Sequence, residues 1–255
     1  QRQMCIRDRL TRCDMPAIAL IALILTALAL PSIKAPLGIT LLKLRDIEFY
    51  IMLSPFAQLI LPNIAGKPIG VIPVGNALAT DWTAAGYFGG LSERVKTVYD
   101  TDATYVNPTT GNPTAATDFG LMLFGGRGVN VAVWYYEMGG GNSPIYADFD
   151  SNYVWFVRRG VGEVAGTRMS WSDIASGTRG MILFEFFKDD LDRYVLIAYG
   201  YSWRDTFGAA LFFHGEMWRE LGYYTKSWYI VERVDNGNGN VEDPGVDTYN
   251  LVASG

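Results

Sequence analysis

The chain has 255 residues, of which 49% are hydrophobic and 18% are charged, which is typical of a folded protein with a sizeable core and excludes a disordered chain. The formal net charge is −5 and no basic stripe is interleaved with aromatic residues, so the sequence predicts no nucleic-acid partner. Both cysteines, Cys5 and Cys13, precede residue 16, which leaves the remainder without a disulfide or a thiolate metal site.

The first residues require separate treatment. Residues 3–9 read QMCIRDR, which resembles the translation of a transposase adapter used in sequencing libraries and implies a metagenomic fragment. We interpret residues 1–15 as an artefact or an unstructured segment and leave them out of the fold prediction. From the remainder we expect a partial preceding element over 37–68 and an α/β domain, truncated at its C-terminus, over 69–255.

An apolar segment follows at 16–31, PAIALIALILTALALP, and carries no charge. A membrane-spanning helix needs about 20 apolar residues, so the shorter run fits the core of an export signal better, with Met15 as its start. A buried helix of an upstream domain and misassembled sequence are the alternatives. We predict an apolar export or membrane-like segment over 16–36, and no membrane contact elsewhere.

Three apolar runs end in glycine and lead into stretches with helical spacing. They are 69–75 before 76–91, 119–126 before 130–138, and 195–200 before 202–221. This recurrence predicts an α/β fold, because buried parallel strands return through crossover helices. Residues 145–158 alternate as two strands, and 181–187 with 194–199 flank a polar turn, which adds β-hairpins to the predicted mixed sheet.

The glycine turns are candidate ligand sites, because phosphate binds where a Gly-rich turn opens a helix. In 125–128 (GGRG) the GxGxxG pattern ends in Val131, and Asp148, which has the spacing of a ribose-binding carboxylate, falls in a predicted hairpin. Close packing of strand on helix explains the same glycines.

The turn at 200–204 (GYSWR) resembles a nucleophile elbow, although its fifth residue is Arg204. The only histidine, His214, lies on the helix that Ser202 begins, about 18 Å along its axis, so a serine–histidine pair is excluded. We predict that Ser202 with Asp205 forms a capping box, and that His214 is a partly buried residue of the helix face.

Residues 235–243 (DNGNGNVED) resemble the calcium loops of secreted proteins, in which Asp and Asn oxygens alternate. The candidate ligands are Asp235, Asn238, Asn240 and Asp243. Glycine holds two of the expected ligand positions, and a Gly/Asn hairpin turn explains the run at least as well. Calcium is the one cofactor that the sequence suggests.

Paired carboxylates and stacking aromatics would support a carbohydrate-binding or carbohydrate-cleaving module. The carboxylates cluster at Glu185, Asp189, Asp190 and Asp192. The aromatic candidates are Tyr135, Tyr136, Trp155, Trp171, Tyr223 and Tyr224. Ordinary solvated charge in a turn and ordinary core packing are the alternatives.

Two of the strand–turn–helix units resemble archaeal S-layer and S-layer-like cell-surface proteins. Residues 123–130 (LFGGRGVN) are similar to that family's V-G-G-P-x-x-N turn, with Arg127 in place of the proline. Residues 195–210 (VLIAYGYSWRDTFGAA) resemble its V-L-V-V-A-G strand, turn and Ala-rich helix. The resemblance covers about 69–255. One feature differs: glycosylation is common on such surfaces, but the chain has no N-x-[ST] sequon to accept it.

This resemblance implies a Rossmann-like α/β core and an extracellular, non-catalytic cell-surface protein that forms a coat or an adhesive filament. Its expected partners are further copies of itself or other surface proteins, and it carries over no active-site residue. The alternatives are an exported carbohydrate-binding or carbohydrate-cleaving module and a degenerate nucleotide-binding domain.

Overall fold

The structure is a computed structural model that describes residues 70–74, 79–89, 95–114, 120–217, 220, 224 and 226–255. The predictions for residues 1–15, 16–36 and 37–68 lie outside the described residues. The described chain has mixed α/β content in which strands predominate, with helices packed on a mixed sheet.

The main sheet has seven strands. They are β1 (Gly70–Val74), β2 (Val95–Tyr99), β3 (Leu121–Phe124), β8 (Arg179–Lys188), β9 (Tyr194–Gly200), β10 (Trp228–Val234) and β11 (Thr248–Ser254), in the order β2-β1-β3-β9-β8-β10-β11. Strands β2, β1, β3 and β9 are parallel neighbours. Strand β8 is antiparallel to both β9 and β10, and β11 is antiparallel to β10.

A smaller antiparallel sheet lies between β3 and β8 in the chain. Its strands are β4 (Ile145–Phe149), β5 (Tyr153–Arg158), β6 (Gly162–Glu163) and β7 (Met169–Ser170). The helices are α1 (Ala79–Gly89), α2 (Val131–Met138), α3 (Trp171–Ser176) and α4 (Trp203–Phe212), and α4 continues as a π-helical turn over Phe213–Met217. No helix in the described part of the chain is both long and apolar enough to span a membrane.

The three predicted strand–glycine–helix units are present as β1–α1, β3–α2 and β9–α4, and both predicted hairpins, β4–β5 and β8–β9, are confirmed. Because β8 is antiparallel to both of its neighbours, β9 and β10 run in the same direction, so α4 makes a crossover connection between them. The α4 helix begins at the predicted capping box, formed by Ser202 and Asp205.

The core forms on both faces of the main sheet. Successive residues of β9 alternate between the faces, with Leu196 and Ala198 on the side of α4 and Val195 and Ile197 on the side of α2 and the small sheet. This period of two is the geometry of a strand buried on both sides. The small sheet and α2 therefore form a third layer, and polar side chains at that junction are enclosed by protein.

Candidate functional site

The turn from β3 to α2 has the Gly–Asn pattern predicted for a ligand cradle, but protein groups fill it. A Cβ atom at Gly126 would lie 3.3 Å from the Tyr199 ring. The Asn130 side chain caps α2 by accepting from the amides of Ala132 (3.0 Å) and Val133 (3.2 Å), and it donates to the Phe124 carbonyl (2.8 Å). The Gly–Asn pattern in the sequence therefore marks a helix cap.

The amides at the start of α2 are also engaged. Those of Val129 and Asn130 donate to the Gly126 carbonyl, and that of Val131 donates to the Asp100 carboxylate at 2.8 Å. Burial raises the pKa of Asp100, and the bond from Val131 opposes that shift. A carboxylate therefore holds the position at which a phosphate would bind a helix N-terminus. Asp148 lies in β4, 3.8 Å from Arg127, and does not join a ribose site.

The turn after β9 is similarly closed. The Ser202 hydroxyl donates to Asp205 Oδ2 at 2.7 Å, and the Gly200 amide donates to the Thr206 hydroxyl at 3.2 Å. His214 lies in the π-helical turn with its ring 5.8 Å from that of Tyr87. The prediction that His214 is partly buried is wrong, because it is exposed on the outer side of that turn. Ser202 acts as a helix cap and His214 is not its base.

In the proposed calcium loop, oxygens of the candidate ligands accept hydrogen bonds from nearby backbone amides. Asp235 Oδ2 accepts from the Gly239 amide (3.1 Å), Asn238 Oδ1 accepts from the Asn240 amide (2.8 Å), and the Asp243 carbonyl accepts from the Asp247 amide (3.2 Å). Within the described chain, no three His, Cys, Asp or Glu side chains form a group that could hold a metal ion. Calcium binding stays a prediction, because backbone and amide oxygens also ligate calcium.

A buried arginine that the sequence analysis did not identify anchors this loop. Arg233 is fully buried and donates to Asp205 Oδ1 (3.3 Å), Asp247 Oδ2 (3.3 Å) and the Gly177 carbonyl (2.9 Å). Burial raises the pKa of Asp205, while its bond from Ser202 and the Arg233 charge oppose that shift. The network joins α3, α4 and the loop before β11, so the role of Arg233 is structural.

The four carboxylates proposed for sugar chemistry do not converge. Asp189 is buried and binds Arg193 Nε (2.7 Å) and the Tyr136 hydroxyl (2.8 Å). Burial alone would raise its pKa, but the hydrogen bonds from Arg193 and Tyr136 hold it below its usual value. Asp190 and Asp192 are exposed in the turn. Glu185 does not join them at the surface, because it is fully buried in β8 and accepts from the Ile145 amide.

A second buried acid, Glu137, lies at the end of α2, and its charge acts on Glu185. Glu137 accepts a hydrogen bond from the Tyr199 hydroxyl at 2.5 Å, while Glu185 accepts from the Ile145 amide at 2.8 Å. Burial raises the pKa of Glu137 to about 8; burial, followed by the charge of Glu137, raises the pKa of Glu185 well above its ordinary value. Both acids are buried and have raised pKa values, and the sequence analysis did not identify Glu137.

The aromatic candidates differ in their environments. Tyr136 is fully buried, which contradicts its interpretation as a stacking residue. The Arg168 guanidinium covers the Trp155 ring at 3.9 Å from its centroid. Trp171 remains exposed and meets exposed Phe149 edge-on, with 6.1 Å between ring centroids. Tyr135 and Tyr224 are half-buried, and Tyr223 lies outside the described residues.

Comparison of the chain with protein-family models, with curated proteins and with solved structures found no match to any of them.

Proposed function

We propose that residues 69–255 form a non-catalytic structural domain of an extracellular cell-surface protein, which associates with further copies of itself in an S-layer-like coat or adhesive filament. The observation that carries this proposal is the outer edge of β11. Among the described strands, β11 pairs only with β10, so its other edge presents main-chain donors and acceptors.

The β11 edge has few of the features that usually prevent strand pairing, although its register with β10 shifts at Val252. Its sequence, TYNLVAS, has no charge and no proline, and it extends over seven residues. Leu251 within it is 61% exposed. An edge of this kind is complementary to a second strand through main-chain hydrogen bonds, and two copies of β11 would pair by the same rule.

The filled glycine turns support a structural role. Ligands of open α/β sheets bind beyond the carboxyl ends of the strands, where the turns at Gly126 and Gly200 lie. Here the Tyr199 ring and the Asp205 backbone pack against those glycines. We propose further that β2, β1, β3 and β9 with their helices are a Rossmann-like core whose ligand crevice is closed. Asp100 at the start of α2 makes the nucleotide-binding alternative the less favoured one.

The test is the assembly state of the full chain as a function of concentration, measured by sedimentation velocity. We expect concentration-dependent association of the unaltered chain and a loss of association in Leu251→Lys, because a lysine on an edge strand opposes pairing. Val246→Lys is the matched control, since Val246 is also exposed but lies outside the strands. A chain that stays monomeric at every concentration would contradict the proposal.

A carbohydrate-binding module is the second candidate, and the exposed Phe149–Trp171 pair favours it. Such rings stack on sugar faces, and the carboxylate of Asp150 is close by in the chain. Phe149→Ala should weaken retention on immobilised polysaccharide while leaving the sedimentation behaviour unchanged. Equal retention of the variant and the unaltered chain would eliminate this candidate.

A further inference from the structure

Two buried carboxyl groups lie between the layers of the fold. Glu137 on α2 is 1% exposed and accepts from Tyr199 of β9, and Glu185 on β8 is 0% exposed and accepts from Ile145 of β4. An ionised carboxylate is costly to bury unless it is paired and fully hydrogen-bonded. The presence or absence of a cationic partner therefore bears on the protonation state of each group.

Glu185 is buried without a cationic partner. Its Oε2 accepts from the Ile145 amide of β4 at 2.8 Å, and the Ser143 hydroxyl lies 3.3 Å from each of its oxygens. These donors favour the ionised carboxylate, but no lysine or arginine of the described chain lies within ion-pair distance of Glu185. Burial without a neutralising charge favours the protonated acid, and the bond from Ile145 joins β8 to the small sheet.

Glu137 likewise has no cationic side chain in direct contact. Its Oε1 accepts from Tyr199, and its buried Oε2 has no hydrogen-bond partner of ordinary geometry in the described structure, although the Ala147 amide lies close enough to favour the ionised form. The charged groups that face it are Arg127 in the turn before α2 and Arg159 after β5, together with Glu185. In the described part of the chain neither arginine forms an ion pair with Glu137, and Arg127 Nη1 is itself buried without a partner.

We propose that Glu137 and Glu185 form a proton-binding site that holds α2 and the small sheet against the main sheet at neutral pH and weakens that contact when the pair ionises. Stability is expected to fall as the pH rises, because the pKa values of both groups are raised in the folded chain. Stability from Glu137 is complete below its ordinary value of 4.5 and is lost as the pH rises through about 8. The Tyr199 bond, the guanidinium groups of Arg127 and Arg159, and the Ala147 amide favour ionisation, but burial outweighs them.

The first test compares the pH dependence of urea unfolding in the full chain with that of Glu137→Gln and Glu185→Gln. Glutamine has the shape of a protonated carboxyl and cannot ionise. The unfolding constant of the unaltered chain should rise by up to about tenfold per pH unit for each proton lost, and each variant should lack its share of that rise. Asp190→Asn, at an exposed turn position, should keep the full dependence. Equal slopes in all four chains would overturn the proposal.

A second measurement does not depend on the folding of any variant. Infrared spectra of the unaltered folded chain at neutral pH should contain the carbonyl band of a protonated carboxylic acid, and this band should disappear as the solution is made alkaline. If Glu185→Gln folds, it should lack part of that band. Absence of the band from the unaltered chain at neutral pH would show that both groups are ionised, and the proposal would be wrong.

Discussion

Replacement of Gly200 by alanine tests whether the glycine turns are spacers for close packing. A Cβ atom there would lie 2.1 Å from Asp205 Cβ, 2.8 Å from the Asp205 carbonyl carbon and 2.8 Å from the Met181 carbonyl oxygen. Two of these are backbone atoms, which belong to α4 and β8. The clash can be relieved only if the helix or the strand moves.

The expected cost can be assembled from its parts. Overpacking a well-packed interior costs about 1–3 kcal/mol, and a clash with backbone belongs at the upper end of that range. Displacing Asp205 also disturbs its bonds with Ser202 and Arg233, and loss of a helix cap costs about 1 kcal/mol. Reduced freedom of the unfolded chain returns about 0.4–1 kcal/mol. We expect Gly200→Ala to lower the free energy of unfolding by about 3 kcal/mol.

Equilibrium unfolding in urea measures this change, and two other glycines provide the comparison. Gly128→Ala is the matched control, since a Cβ atom there meets nothing within 4 Å. Gly126→Ala should give an intermediate loss, because the added atom meets only the Tyr199 ring, at 3.3 Å. If Gly200→Ala unfolds at the same urea concentration as Gly128→Ala, the close-packing explanation is refuted.

Three further outcomes are expected. Asn130→Ala should lower the free energy of unfolding by about 1–2 kcal/mol, since it removes the α2 cap, and Asn130→Asp should lose less because it still accepts from the helix amides. If Asp235 binds calcium, the thermal midpoint in calcium should exceed that in chelator, and Asp235→Asn should remove the difference; an equal midpoint in the unaltered chain rules out a stabilising site. The pKa of Asp189 is lowered, so its contribution is present above its ordinary value of 3.8 and is lost as the pH falls through the folded value. Asp189→Asn should therefore make acid unfolding less steep, and an unchanged acid limb would contradict this assignment.

Local patterns were sufficient to predict the strand–turn–helix units. The glycines after β3 and β9 mark real chain reversals, and the pairing of Ser202 with Asp205 identifies the start of α4. These signals depend on residues within a few positions of one another, and local geometry determines both the turn and the cap. The same signals could not show whether the turns are open, because Tyr199, which packs on Gly126, comes from a distant part of the chain.

The buried acid pair shows the limit of local patterns more sharply. Glu185 lies within the apolar strand MILFEFF, and alternation places it on the same buried face as Leu183. That position was a signal that its carboxyl group is not solvated. The sequence analysis instead grouped Glu185 with the carboxylates of the following turn, because they are near in sequence. Its partner, Glu137, precedes the small sheet, so only the layer arrangement brings the two together.

The buried polar groups share one arrangement, which bears on the proposed function. Arg233 joins the loop before β11 to α4, Asp189 joins the β8–β9 turn to α2 through Tyr136, and Glu137 joins α2 to β9. Buried charges stabilise a fold weakly compared with apolar packing, but they can select one arrangement of elements. Here each network connects one element of the fold to another. On the outside of the described structure, the edges of the main sheet are β2 and β11, and the uncharged edge of β11 is the one that we propose to pair with a second copy.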